Sequence, residues 1–188
     1  MSKVTIFGDG NMGSAIAGIV AAGGSDVEHI TTTTEGATVN GDVVVLAVPY
    51  AALQDITAQY GEQFAGRVVV DVTNPLDYQT GQRIPADSAT AELAAALPQS
   101  KVVKAFNTTF APTLASRTVG GQPTTVLVAG DDADAKQSLI ELVTAGGVHG
   151  IDAGPLSAAQ DLEVFAALQI RLAMSQQVAF DGGFAVVK

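Results

Sequence analysis

The chain has no cysteine, which excludes disulfides, thiolate metal sites and thiol nucleophiles. Basic residues are scarce: nine Lys and Arg stand against 19 Asp and Glu, a formal net charge of −10 across 188 residues. Such a surface repels phosphate backbones, so no nucleic-acid partner is expected. An anionic cofactor would have to be held locally, as backbone N–H groups at a helix N-terminus can do. No apolar run approaches the roughly 18 residues of a membrane span. The longest dense run, 43–48, is strand-sized. The N-terminus lacks the pattern of a signal peptide, and these absences together set a cytoplasmic expectation. Histidine occurs twice, as His29 and His149, and no His/Asp/Glu cluster has metal-ligand spacing, so no metal is expected. What remains is 47% hydrophobic and 15% charged, the composition of a globular chain.

The pattern alternates between strand and helix. Residues 4–7 form a β-rich run that ends in Gly8, and 12–22 follow with small and apolar residues at helical spacing. Further strands are expected at 27–31, 43–48, 68–72, 102–106 and 124–129, with a short one at 148–151. Helices are expected at 51–60, at 88–97 with Asp87 or Ser88 as N-cap, from Asp131 to about 145, and at 157–180. Residues 76–85 read as a loop. The run 43–48 is apolar at every position, as in a parallel strand covered on both faces. This order predicts an α/β Rossmann fold: a doubly wound, mostly parallel sheet with a short C-terminal helical extension. The one boundary falls near Gly154-Pro155. It separates a dinucleotide-binding unit, 1–153, from a helix and tail, 154–188, packed on that unit or on a dimer partner.

Gly8-Asp9-Gly10-Asn11-Met12-Gly13 is a GxGxxG turn directly after a strand and opening a helix, the context that gives the motif meaning. Gly8 permits the tight turn, Gly10 leaves room for a pyrophosphate, and Gly13 lets helix and strand pack closely. Asn11 and Met12 present N–H groups to the phosphates. NAD-binding chains carry an acid at the end of the second strand for the ribose 2′-OH. Here that place holds Thr31-Thr32-Thr33-Thr34, and Glu28 belongs near the strand's beginning. Hydroxyls of Thr32, Thr33 and Thr34 in place of a carboxylate favour a 2′-phosphate, hence NADP(H), with NAD left open. Ligands of such a sheet lie beyond the carboxyl ends of its strands. Ala47-Val48-Pro49, Asn74-Pro75, and Ala105 with Asn107 occupy three further ends and complete the expected cofactor site.

Five segments occur in order: Ile6 with the glycine turn, Leu46-Ala47-Val48-Pro49-Tyr50, Val72-Thr73-Asn74-Pro75-Leu76, Val103-Lys104-Ala105-Phe106-Asn107-Thr108, and Asp152-Ala153-Gly154-Pro155-Leu156. Together they resemble the NADP oxidoreductases that use the deazaflavin coenzyme F420, and the N-terminal domain of the STEAP metalloreductases. The resemblance implies NADP(H), a homodimer, and a small-molecule redox acceptor, a flavin or deazaflavin, stacked on the nicotinamide. Relatives often carry Ala-Arg before Leu-Glu after the Gly-Pro-Leu turn; here Gln160 stands where that Arg would be.

An alcohol dehydrogenase needs a general acid or base. His29 and His149 lie in strands away from the expected site, Tyr50 is the best remaining acid, and Lys104 precedes a strand end. No catalytic side chain is assigned. Hydride transfer between stacked redox cofactors needs none, since the protein supplies binding, orientation and water exclusion. The expected function is therefore an NADP(H)-dependent oxidoreductase with a flavin-like acceptor; the alternative is a non-catalytic NADP(H)-binding sensor or regulatory subunit. A reductase of small imines would need a longer helical C-terminal region. In the last helix Leu162, Phe165, Gln169 and Leu172 form one row and Ala166, Ile170, Met174 and Val178 another. That surface is broader than a one-sided helix needs, and Gly182-Gly183-Phe184 is expected to approach the second substrate.

Overall fold

The computed structural model describes residues 2–34, 36–84 and 87–187. Its main sheet has seven strands. In chain order the elements are β1 (Lys3–Phe7), α1 (Asn11–Ala22), β2 (Asp26–Ile30), β3 (Val43–Leu46), α2 (Leu53–Tyr60), β4 (Val68–Asp71), a short hairpin β5 (Leu76–Asp77) and β6 (Gln82–Arg83), α3 (Ala89–Ala96), β7 (Lys101–Lys104) and α4 (Ala111–Ser116). A second hairpin, β8 (Thr118–Val119) and β9 (Gln122–Pro123), leads to β10 (Thr125–Gly130), α5 (Ala133–Ala145), β11 (His149–Gly154) and α6 (Ala158–Met174). The sheet order is β11-β10-β7-β4-β3-β1-β2. Among the described residues no helix is long and apolar enough to cross a membrane.

The apolar strands are explained by what covers them. Val43 and Val45 face one layer with Ile6, Ile16, Ile19, Val70 and Leu139. Val44 and Leu46 face the other with Phe7, Phe64, Val69 and Leu93. A strand covered on both sides has no face to leave polar. Phe7 anchors the second layer, with ring centroids 5.0 Å from Tyr60 and 5.6 Å from Phe64, both edge-on.

In the main sheet the neighbours β2-β1-β3-β4-β7 all pair parallel. β10 runs antiparallel to β7, pairing only Ala129 with Lys104 and Gly130 with Val103. The first residues of β10 therefore extend past the carboxyl edge of the parallel strands. An antiparallel return needs no crossover to the far edge, so 105–124, including α4 and the β8–β9 hairpin, stays at the carboxyl end.

Several expectations need adjustment. Residues 76–85 contain the β5–β6 hairpin; Pro85 itself lies outside the described residues. Glu28 sits midway along β2 and not near its start, bound by Thr5 Oγ1 at 2.6 Å and by Lys3 at 2.9 Å. The last helix stops at Met174 and does not reach 180. Gln176 takes a left-handed φ of +60°, and its N–H and that of Gln177 close on Ala173 O and Leu172 O at 3.0 and 2.8 Å. A left-handed stop on Gln leaves no glycine signal in the sequence. Ser88 and Asp132 cap α3 and α5, accepting from Ala91 N and Ala135 N.

Candidate functional site

The strand order reverses beside β1: β2 lies on one side, β3 and the rest on the other. A crevice opens at such a switch point, beyond the carboxyl ends. Gly8 N donates to Ile30 O and Ala47 N to Phe7 O, at 2.9 and 3.0 Å, tying three strand ends together under the turn. Gly8 has φ +97°, and a Cβ there would overlap the Ala47 carbonyl oxygen. A Cβ on Gly13 would overlap Gly8 O. Gly10 differs: its φ is −64° and nothing lies within 4 Å of where its Cβ would stand. The space over Gly10 is thus a cradle that any side chain would fill. α1 has no side-chain cap and no acid in its first turn, so its N-terminal N–H groups and its dipole are free to meet an anion.

Two cavities meet at this point, sharing Gly10, Ala47, Val48 and Pro49. The first, about 520 Å³, runs over Gly8 and Asp9 between Thr31, Thr32 and Thr34 after β2 and Asp55, Ile56 and Gln59 on α2. Thr33 does not line it; its hydroxyl meets Thr31 Oγ1 at 2.9 Å. Among the described residues no Lys or Arg lines this cavity, and Asp9 and Asp55 both do. Glu28 points elsewhere. Partial burial raises its pKa, but bonds from Thr5, Asn40 and Lys3 outweigh that and draw it down to about 2.

The second cavity, about 450 Å³, begins at Asn11 and Met12 and runs over the ends of β4 and β7. Asn74 and Asn107 meet at its floor: Asn107 Nδ2 donates to Asn74 Oδ1 at 3.0 Å, and Asn74 Nδ2 to Asn107 O at 3.3 Å. Phe106, buried, takes φ +65°, a costly turn for a bulky residue, on the order of 1–2 kcal/mol; it aims Asn107 at the cavity. Pro75 and Ala105 are buried next to these residues and line neither cavity.

The far wall comes from residues that strand ends do not announce. Ile170 and Met174 of α6, Phe110, Phe180 and the hairpin's Tyr78 make it largely apolar. Phe180 packs on Phe110 at 5.2 Å, and Phe184 on Phe165 at 5.3 Å. Among them sits Gln169, 3% exposed. A polar residue inside the apolar row of Leu162, Phe165 and Leu172 was the available signal for it.

Neither candidate acid serves the cavity. Tyr50 donates to Glu92 Oε2 at 2.6 Å, and that bond pushes its pKa up to about 12. Lys104 is fully buried, its Nζ 2.9 Å from Asp71 Oδ2, 3.0 Å from Glu163 Oε1 and 2.6 Å from Thr73 O. Glu163 also accepts from Ser88 Oγ and the N–H groups of Ala89 and Thr90, which fastens α6 to the start of α3. Lys104 is thus a structural cation that joins two strand ends to α6 beneath the cavity floor. His29 Nδ1 lies 3.0 Å from Gly8 O; a carbonyl only accepts, so Nδ1 carries the proton and the ring braces the turn.

The switch-point crevice, the uncapped helix and the paired cavities define a dinucleotide-binding protein of the Rossmann class. The family model for coenzyme F420-dependent NADP oxidoreductases matches residues 25–75. The F420-dependent NADP reductase of Methanocaldococcus jannaschii is 31% identical over 156 residues, covering 79% of this chain and 70% of that protein. The metalloreductase STEAP3 of Rattus norvegicus is 36% identical over 118 residues, which span 62% of this chain and 23% of that protein. Among solved structures, an F420-dependent NADP reductase assignment from Arthrobacter sp. FB24 superposes with a TM-score of 0.84 at 26% identity, each chain covered in full. The chain belongs to the F420-dependent NADP oxidoreductase family, and is thereby an NADP-dependent oxidoreductase that uses NADP(H).

Proposed function

We propose that the chain transfers hydride between NADP(H) and a flavin-like or deazaflavin acceptor bound in the second cavity. The observation that carries this reading is the cavity's make-up: an apolar, partly aromatic far wall faces the strand ends, and neither Tyr50 nor Lys104 has a free acid to offer there. A ring system suits such a wall; an alcohol substrate, which needs a proton acceptor, does not. When bound, NADPH would supply a hydride, with both electrons, and the acceptor would take its second hydrogen from solvent as a proton.

In this reading Gly8 to Gly13 hold the pyrophosphate, with N–H groups of Asn11 and Met12 on its oxygens. Thr32 and Thr34 face the 2′-phosphate, with Thr33 behind them. Ala47, Val48 and Pro49 lie under the ribose beside the nicotinamide. Asn74 and Asn107 meet the nicotinamide, and Pro75 and Ala105 set the strand ends that carry them. Residues 1–153 form the nucleotide-binding unit, and 154–188 close the acceptor side. Val164 and Leu168, a turn apart on α6 and each 44% exposed, support a homodimer through that face.

Steady-state assays with NADPH and a panel of flavins, deazaflavins and quinones test the proposal. Oxidation of NADPH with a flavin or deazaflavin is expected; no turnover with any of them refutes it.

A further inference from the structure

Three residues that line the second cavity each carry a buried polar atom with no hydrogen-bond partner among the described residues: Thr73 Oγ1, Asn107 Oδ1 and Gln169 Oε1. Most buried polar groups in folded proteins are paired, with protein, ordered water or a ligand, and three such atoms on the residues of one cavity point to a ligand there. Thr73 and Asn107 stand together at the ends of β4 and β7. They match one carboxamide: Asn107 Oδ1 takes an N–H and Thr73 Oγ1 donates to the C=O. Gln169 comes from the opposite wall, on α6, the side that the proposed function gives to the acceptor; the carboxamide's second N–H stays on the strand-end side.

We propose that Gln169 selects the acceptor by reading a C=O/N–H/C=O edge, the pyrimidine edge that flavins and deazaflavins share. The amide oxygen of Gln169 accepts the ring N3–H while its nitrogen donates to a neighbouring ring carbonyl. This deepens the proposed function and rests on it. The side chain is braced for the task. Gly183, at φ +139°, passes so near that a Cβ there would stand 3.0 Å from Gln169 Nε2. The tail after α6 thus passes close to the amide, and a Cβ at 183 would press on it. An acceptor lacking the N–H, such as a quinone, leaves Gln169 Oε1 buried and unpaired, which disfavours it about tenfold.

The test compares riboflavin and 5-deazariboflavin with their N3-methyl derivatives, binding each to the full chain saturated with NADP+. Flavin and deazaflavin fluorescence report the affinity. Wild type is expected to bind the unmethylated compounds about tenfold more tightly, and Gln169→Met to bind both members of each pair equally with its NADP+ affinity unchanged. Equal binding of both members by wild type overturns the inference, and that comparison needs no variant to fold. So does a Gln169→Met protein that keeps the preference, or one whose loss falls on NADP+ instead. If none of the four compounds binds, the proposed function fails with the inference; binding without sensitivity to methylation sinks only the role of Gln169.

Discussion

Substituting the three glycines of the turn one at a time separates the fold's requirements from the cofactor's. Gly8→Ala puts a side chain at φ +97° and against the Ala47 carbonyl oxygen. The backbone conformation alone costs roughly 1–2 kcal/mol, and the end of β3 must move as well, so a loss of about 3 kcal/mol or more is expected from a total of about 5–15 kcal/mol. Gly13→Ala meets Gly8 O and falls in the same class. Gly10→Ala meets nothing and keeps an ordinary φ of −64°. The gain from a stiffer unfolded chain and the loss of a favoured N-cap residue nearly offset, leaving stability within about 1 kcal/mol. In the proposed binding mode its methyl group instead occupies the path of the pyrophosphate. Hydrogen bonds to a charged group are worth about 1.5–3 kcal/mol each, so the loss of one weakens NADPH binding tenfold to a hundredfold. Urea unfolding and titration of nicotinamide fluorescence measure the two quantities. A Gly10→Ala protein that binds NADPH like wild type, or that unfolds like Gly8→Ala, would refute the reasoning.

Four further outcomes are expected. Lys104→Met leaves Asp71 and Glu163 buried without their cation and should cost about 3–5 kcal/mol in urea unfolding; a loss below about 1 kcal/mol would contradict the buried triad. Thr32→Arg brings a cation to a cavity that has none, and should raise the preference for NADPH over NADH at least about tenfold, read as a ratio of dissociation constants. Tyr50→Phe should leave kcat within about twofold, because a phenol bonded to Glu92 with its pKa near 12 does not deliver the proton. Glu28 has its pKa lowered from 4.5 to about 2. The stability it contributes is fully present above the unfolded value and is lost as pH falls through the folded one. The Tm gap between wild type and Glu28→Gln should therefore close between pH 4.5 and about 2.

The seven sheet strands and the glycine turn were legible because each rests on local chemistry: β-branched runs for a doubly covered sheet, and glycines where no Cβ fits. Of the Thr run after β2, Thr31, Thr32 and Thr34 line the first cavity and Thr33 does not. The far wall of the second cavity was not legible. Tyr78, Phe110 and Phe180 come from segments with no period of their own, and they reach the site because β10 returns antiparallel and α6 is drawn in by Glu163. A lysine in a strand reads as exposed or catalytic; Lys104 is neither, and only Asp71 and Glu163, 33 and 59 residues away, reveal why. The left-handed turn at Gln176 that ends α6 has no residue to announce it.

The central claim is direct hydride transfer between the nicotinamide and an acceptor ring. A deazaflavin tests it best, because the hydrogen its ring carbon receives stays bound as C–H. Turnover of NADPH deuterated at the transferring C4 position with 5-deazariboflavin, in ordinary water, should give reduced deazaflavin carrying the deuterium at C5. Reduced product without deuterium, or no reduction of any ring acceptor, would contradict the account.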